Sequence, residues 1–147
     1  MRAKFVNETI NFERRKDSLS SLSVGQKQLI RSWLDEMGVK NYTINDDLTI
    51  NVKSDVYLNN RGLVKFPNYI RFRTVRDWFG CMNNQLISLE GCPNLVGRDF
   101  YCSNNRLMNL KGCPSQIGGD FYCDNNKIKF TEEYVRSMSK IKGDVYI

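Results

Sequence analysis

The chain has 147 residues, 41% of them hydrophobic and 26% charged, a composition typical of one folded domain. Lys and Arg number 22 against 16 Asp and Glu, for a formal net charge of +6, which suits an acidic protein surface, a phosphate backbone, or a charge that only maintains solubility. The N-terminus lacks the apolar core of a secretory signal, and no apolar run approaches the roughly 20 residues of a transmembrane helix, so we expect a cytoplasmic protein.

An N-terminal arm and a helix begin the chain. The arm, residues 1 to about 22, alternates apolar and polar residues and is interpreted as a strand or a partly ordered tail. Ser23 is predicted to open the helix, because Ser23 and Gln26 have the spacing of a capping box, and Gly38 takes the C-terminal cap. We interpret the helix as a cover for the end of the repeats that follow, with a partner-binding helix as the alternative. Its apolar face at helical spacing is Leu29, Ile30, Trp33, Leu34 and Met37.

Strand-like alternation starts at Tyr42 and predicts a β-hairpin with its turn at residues 45–47. The arm, helix and hairpin, residues 1–52, are expected to form one continuous unit with the repeats of residues 53–147. The predicted fold class is α+β, a short leucine-rich-repeat-like solenoid with one curved parallel sheet and an N-terminal capping helix. A second, short helix is expected from Thr131, with its buried side formed by Tyr134, Val135 and Met138.

The second half of the chain is a tandem repeat. Residues 86–106, LISLEGCPNLVGRDFYCSNNR, align with residues 107–127, LMNLKGCPSQIGGDFYCDNNK, at a step of 21 residues. A leucine-rich period of about 20–29 residues is typical of a solenoid. The template LxLxxNxL starts at Phe79, Phe100 and Phe121, and a degenerate copy starts at Val56, where Arg61 replaces the asparagine. The asparagines are predicted to bond backbone groups of adjacent turns: Asn84, Asn105 and Asn126.

The five cysteines follow the repeat in two columns. We interpret them as reduced core thiols, because zinc sites favour close Cys pairs and the chain has no histidine. Disulfides between stacked repeats are the alternative, although the sequence shows no export signal. The columns are Cys81, Cys102 and Cys123, and Cys92 and Cys113.

These repeats resemble the leucine-rich-repeat-like proteins of tailed bacteriophages, which carry many copies of a unit similar to LxxLxGCPxxVGGDFYCxNN. The shared N-terminal part of that family is similar to residues 33–72 here, and the whole resemblance covers about residues 24–147. The chain departs from the family pattern at Arg98, which replaces the second glycine of the unit, and in its small number of repeats. The resemblance implies a phage origin and an interaction role, with no catalytic residues to carry over.

Two surfaces are predicted to meet a partner. Period-2 geometry turns aromatic and acidic residues outward along the repeats, and aromatic residues are favoured interface anchors; the alternative is that repeat copying alone propagates them. A basic cluster lies between residues 53 and 76, where it suits RNA or an acidic protein patch, or is a solvated strand that discourages aggregation. The protein-binding candidates are Tyr57, Trp78, Met82, Asp99, Tyr101, Asp120, Tyr122, Asp124 and Tyr146. The basic candidates are Lys53, Arg61, Lys65, Arg71, Arg73 and Arg76.

Catalysis finds little support in the residues. The chain has no histidine, and it contains no nucleophile elbow, P-loop or HExxH motif, so we expect neither an enzyme nor a cofactor. One aspartate per repeat is a weak candidate for a divalent cation, because carboxylates on a flat face seldom converge. That column is Asp55, Asp99, Asp120 and Asp144.

The predicted function is that of a non-enzymatic phage protein that binds and inhibits a host protein or ribonucleoprotein, for example a CRISPR effector of host defence. The alternative is direct RNA or DNA binding through Arg71, Arg73 and Arg76. A structural component of the virion is a third hypothesis. The open sheet edge at residues 145–147 predicts a homodimer.

Overall fold

The structure, a computed structural model, describes residues 21–147. It is a short β-solenoid of about four turns with an N-terminal helix and a second short helix, so the predicted α+β solenoid is confirmed. The predicted strand or tail of the arm lies outside the described residues. No helix within residues 21–147 is both long and apolar enough to cross a membrane.

Two helices and eleven strands are found in the described part of the chain. Helix α1 covers residues 21–36 and helix α2 covers Glu132–Met138. The strands are β1 (Tyr42–Ile44), β2 (Ile50–Val52), β3 (Val56–Tyr57), β4 (Phe72–Val75), β5 (Phe79–Gly80), β6 (Leu95–Val96), β7 (Phe100–Tyr101), β8 (Gln116–Ile117), β9 (Phe121–Tyr122), β10 (Lys140–Ile141) and β11 (Val145–Tyr146).

The strands form two sheets. Sheet A has the order β1-β2-β4-β6-β8-β10, and sheet B has the order β11-β9-β7-β5-β3. Strands β1 and β2 pair antiparallel, which confirms the predicted hairpin, and the other pairs are parallel. The expectation of a single curved sheet is therefore corrected. Each coil adds one strand to each sheet, because the segment after the Gly-Cys-Pro turn also pairs with its neighbours.

The repeat register is confirmed inside the solenoid. Phe79, Phe100 and Phe121 are Cα partners in successive strands of sheet B. Their ring centroids are 5.7 Å and 5.3 Å apart, and all three rings are fully buried. The buried apolar cluster runs from Ile30 in α1 to Ile141 in β10. Stacking of equivalent side chains thus produces one continuous core, as expected for a solenoid.

Buried asparagines join adjacent coils. The Asn105 carboxamide oxygen accepts the backbone N–H of Leu86 at 3.0 Å, and its amide group donates to the carbonyls of Cys81 at 2.9 Å and Cys102 at 3.1 Å. Asn84 and Asn126 make equivalent bonds in the coils on either side. The predicted structural role of these asparagines is confirmed.

A reciprocal arrangement of aspartate and glycine explains the unusual Arg98. The Asp99 carboxylate accepts the backbone N–H of Asp120 at 2.8 Å, and a Cβ on Gly119 would lie 2.1 Å from that carboxylate oxygen. Glycine is therefore favoured above Asp99 and, at Gly143, above Asp120, whereas Asp77 stands above Asp55, whose bond to the Trp78 N–H is longer at 3.3 Å. One coil earlier, Trp78 occupies the position equivalent to Asp99. It places no carboxylate beside residue 98, so the Arg98 side chain fits where the later coils have glycine.

Helix α1 covers the first coil of the solenoid. Trp33 packs edge-on against Phe66 at 6.4 Å between ring centroids, and Ile30, Trp33 and Leu34 are buried. Gly38 has the left-handed φ of +74° expected of a C-terminal cap. Two details were wrong. Ser23 lies inside the helix rather than at its start, and Leu29 is exposed, because the covered face is narrower than the apolar stripe.

Helix α2 also forms where predicted. The Thr131 side chain caps it by accepting the N–H of Tyr134, and Val135 is fully buried. Met138 is 39% exposed, so its predicted burial is wrong, since the seven-residue helix turns only a short face toward the core. All five cysteines are free thiols, which agrees with the predicted reduced state.

Candidate functional site

A row of aromatic rings runs across the outer face of sheet B, one ring per coil. Tyr101 and Tyr122 stack at 4.6 Å between centroids, and Tyr122 and Tyr146 stack at 4.4 Å with an interplanar angle of 3°. Trp78 continues the row at 6.0 Å from Tyr101, and Tyr57 follows at 5.8 Å from Trp78. We call this row, with the acidic residues beside it, the aromatic face. The spacings of 4.4–6.0 Å lie in or at the lower edge of the roughly 4.5–7 Å range of favourable aromatic pairs.

Trp78 enters the row from a different column of the repeat. The residue in register with Tyr57 and Tyr101 is Gly80. A Cβ on Gly80 would lie 3.1 Å from the Trp78 indole and 2.9 Å from the Asn59 carboxamide oxygen, so those groups occupy the space above Gly80. The indole is nearly perpendicular to the rings on both sides. The aromatic row therefore continues through a coil that lacks the repeat tyrosine.

Aspartates border the row. The two oxygens of Asp99 accept the Asp120 N–H at 2.8 Å and the Tyr101 hydroxyl at 3.0 Å. The Asp120 carboxylate accepts the N–H of Asp144 at 2.8 Å. The Ser103 hydroxyl donates to the carboxylate of Asp124. These bonds orient the carboxylates of Asp99, Asp120 and Asp124. Asp55, Asp124 and Asp144 are exposed to solvent.

Partial burial raises the pKa of two tyrosines of the row. Desolvation, followed by the hydrogen bond to Asp99, raises the pKa of Tyr101. Desolvation, with the charges of Tyr146 and Asp120 adding, raises the pKa of Tyr122 to about 12. The face offers carboxylates and phenol hydroxyls. It carries no lysine or arginine at the outward positions of β3, β5, β7, β9 and β11 or of the residues flanking them.

Period-2 geometry would also turn outward the polar residues two positions after Tyr57 and Tyr101, but both are buried. Ser103 is 4% and Asn59 is 6% exposed, because each bonds to the next coil, Ser103 to Asp124 and Asn59 to the N–H of Met82. Met82 itself is half-buried beside the row.

An exposed asparagine row at the rim of the face was missed. Asn83, Asn104 and Asn125 have left-handed φ values of 53–56°, which asparagine tolerates better than most residues. The Asn104 amide donates to Asn83 at 2.8 Å, and the Asn125 amide donates to Asn104 at 2.5 Å. The Asn-Asn dipeptides at a 21-residue step carried this signal in the sequence.

The basic candidates have different local contacts. The Arg61 guanidinium donates to the Met37 carbonyl at the end of α1, at 3.1 Å. Lys53 and Arg76 follow the paired residues Val52 and Val75 in sheet A and are therefore neighbours.

A second basic group lies near the hairpin. Arg71 and Arg73 are both exposed, as predicted, and their charges help to lower the pKa of Asp47, after its larger hydrogen bonds to Thr49. The Arg71 guanidinium donates to the Asp47 carbonyl at 2.8 Å. Lys65 and Arg71 line a depression of about 340 Å³. The basic residues therefore fall into three groups by their local contacts.

Within residues 21–147, no group of three or more Cys, Asp and Glu side chains is arranged to hold a metal ion. Comparison of the chain with protein-family models, with curated proteins and with solved structures finds no match.

The buried thiols predict a loss of stability at alkaline pH. Burial raises the pKa of Cys92 and Cys102 well above the usual 9.0, and burial followed by the Asp124 charge raises the pKa of Cys123 to about 12. The unfolded chain releases these protons first, so this stabilisation is complete below pH 9.0 and is lost as the pH rises toward the folded pKa. We expect urea unfolding under reducing conditions to show a decline of roughly 1.4 kcal/mol per pH unit for each such thiol. Cys123→Ala should decline less steeply, and an equal slope would contradict the assignment.

Proposed function

We propose that this protein is a non-enzymatic interaction protein that binds a macromolecular partner through the aromatic face. The observation that carries the proposal is the unbroken row of five rings. In the irregular coil Trp78 reaches over Gly80 and maintains the row, which copying of the repeat alone does not account for. Large aromatic side chains bury much area at low entropic cost and are frequent binding hot spots.

The partner we propose is a host protein or ribonucleoprotein that the chain inhibits. The resemblance of the repeats to phage leucine-rich-repeat-like proteins supports a host target, and a defence effector such as a CRISPR ribonucleoprotein is one such target. Direct RNA or DNA binding through Arg71, Arg73 and Arg76 has less support, because Arg71 already bonds the Asp47 carbonyl. The homodimer through β11 stays a prediction.

Affinity capture from a host lysate tests the proposal. Tyr57→Ala/Tyr146→Ala removes the two most exposed tyrosines of the row, which are 55% and 43% exposed, so the fold should be retained. We expect the captured partner to be lost, and to be retained by the control Tyr69→Ala, which removes an exposed tyrosine elsewhere. Circular dichroism verifies the fold of each variant.

Two outcomes would contradict the proposal. Undiminished capture by Tyr57→Ala/Tyr146→Ala would exclude the aromatic face. Capture that disappears on nuclease treatment and in Arg71→Glu/Arg73→Glu would instead favour the nucleic-acid alternative.

A further inference from the structure

One coil contributes a different set of residues to the aromatic face. The coils of β3, β7 and β9 each present an aspartate and a tyrosine on this face, and the polar residue two positions later is exposed only in the coil of β9. The coil of β5 has Trp78, Gly80 and Met82 at these positions instead, of which Gly80 is buried. Trp78 lies between Tyr57 and Tyr101, and its coil is the apolar part of an otherwise acidic surface.

The sign of the charge on this face is opposite to that of the whole chain. Formal net charge is +6 overall, whereas the outward charged positions of the face are all carboxylates. Asp55 and Asp99 occupy the rows on either side of Trp78. The other carboxylates of the face are Asp120, Asp124 and Asp144.

The carboxylates keep acceptor capacity for a partner. An ionised carboxylate has about four lone-pair sites, and the bonds made within the face use two on Asp99. Asp55 accepts one bond at 3.3 Å, from the N–H of Trp78. An arginine of a partner can therefore bond these oxygens while its planar group rests on the indole, a combination of charge pairing and cation–π contact.

We propose that Trp78 and Met82 form the centre of the docking surface and that its occupant is a cationic, arginine-bearing segment of a protein. This inference rests on the proposed function of the same face and names the partner's chemistry. Its basis is the anatomy of binding hot spots, in which an apolar centre is surrounded by a polar rim, together with charge complementarity. Nucleic acid does not fit this row, because phosphates are repelled by the surrounding carboxylates.

Short synthetic peptides provide a defined probe. The full chain is titrated with a peptide of alternating Arg and Leu, a matched Glu and Leu peptide, and a single-stranded oligonucleotide. The indole N–H signals are followed by nuclear magnetic resonance. The chain has two tryptophans, and Trp33→Phe assigns their signals. We expect the Arg peptide alone to shift the Trp78 signal, with an affinity that falls as salt rises.

Substitutions then locate the centre. Trp78→Ala/Met82→Ala should weaken binding of the Arg peptide about tenfold or more, as hot-spot truncation does. The control Met108→Ala removes a methionine that is 63% exposed outside the face and should leave binding unchanged. Asp55→Asn/Asp124→Asn, which changes two exposed carboxylates, should weaken binding and reduce its salt dependence.

The inference is overturned if the Arg peptide fails to shift Trp78, if the Glu peptide or the oligonucleotide shifts it equally, or if Trp78→Ala/Met82→Ala binds like the parent. Capture from the lysate separates this failure from that of the proposed function. Loss of the partner in Tyr57→Ala/Tyr146→Ala but not in Trp78→Ala/Met82→Ala leaves the proposed function standing and refutes the inference. If both double variants still capture the partner, the proposed function and the inference are both refuted.

Discussion

Replacing Asn105 with alanine is expected to lower the free energy of unfolding by about 3 kcal/mol. The carboxamide accepts the buried N–H of Leu86 and donates to the carbonyls of Cys81 and Cys102, in the preceding coil and its own. Alanine leaves the Leu86 N–H unsatisfied and opens a cavity between coils. Urea unfolding followed by circular dichroism measures the loss.

Asn126 is the matched control, because it makes the same set of bonds in the next coil but is only half-buried. Water can replace part of its hydrogen bonding, so Asn126→Ala should cost about 1 kcal/mol. Equal losses for the two variants would show that burial does not determine the contribution of this asparagine column.

Replacing Gly119 with alanine is the second change with a large expected effect, about 2–3 kcal/mol of destabilisation by overpacking. The new Cβ would lie 2.1 Å from the Asp99 carboxylate oxygen that accepts the Asp120 N–H. Asp99→Ala removes this obstacle. We therefore expect the double variant to be more stable than the sum of the single effects predicts, by about 1 kcal/mol or more in a double-mutant cycle.

Two further variants check the cause. At Gly118 the new Cβ would meet the backbone carbonyl oxygen of Gly97 at 2.1 Å, so Asp99→Ala should not rescue Gly118→Ala. Arg98→Gly restores the glycine of the repeat in the coil after Trp78, which stands where other coils have the aspartate. We expect this substitution to lower the free energy of unfolding by no more than about 1 kcal/mol. If Asp99→Ala also stabilised Gly118→Ala, the effect of Asp99 would not be specific to its contact with residue 119.

The repeat predicted the register of sheet B and the buried columns correctly. A 21-residue step sets which residues of successive coils lie in contact, and Phe100 therefore had to lie between Phe79 and Phe121. The same step placed the tyrosines in one row. What it left open was how Trp78 would be arranged, since an indole in the aspartate column reaches the tyrosine column only when Gly80 leaves room.

The second sheet was missed because the outward positions of its repeat strands share no residue type, whereas those of sheet B repeat tyrosine. Strands β6 and β8 have two residues each, and Leu95 and Gln116 at their exposed positions share no character. These strands are defined by their hydrogen bonds to neighbouring coils, and the local sequence does not predict that pairing. The separation of Arg61 from Arg71 has a similar origin, because the turns between them place the two guanidinium groups beside different carbonyls.

The sequence by itself determined that the chain is a solenoid, which residues form its core columns, and that one face carries aromatic and acidic residues. These properties follow from periodicity, since equivalent residues of a repeat meet equivalent neighbours. Only the tertiary structure decided that two sheets form, that Trp78 completes the aromatic row, and which groups the basic residues contact. These properties depend on distances between coils and on space left by single glycines, which no local pattern encodes.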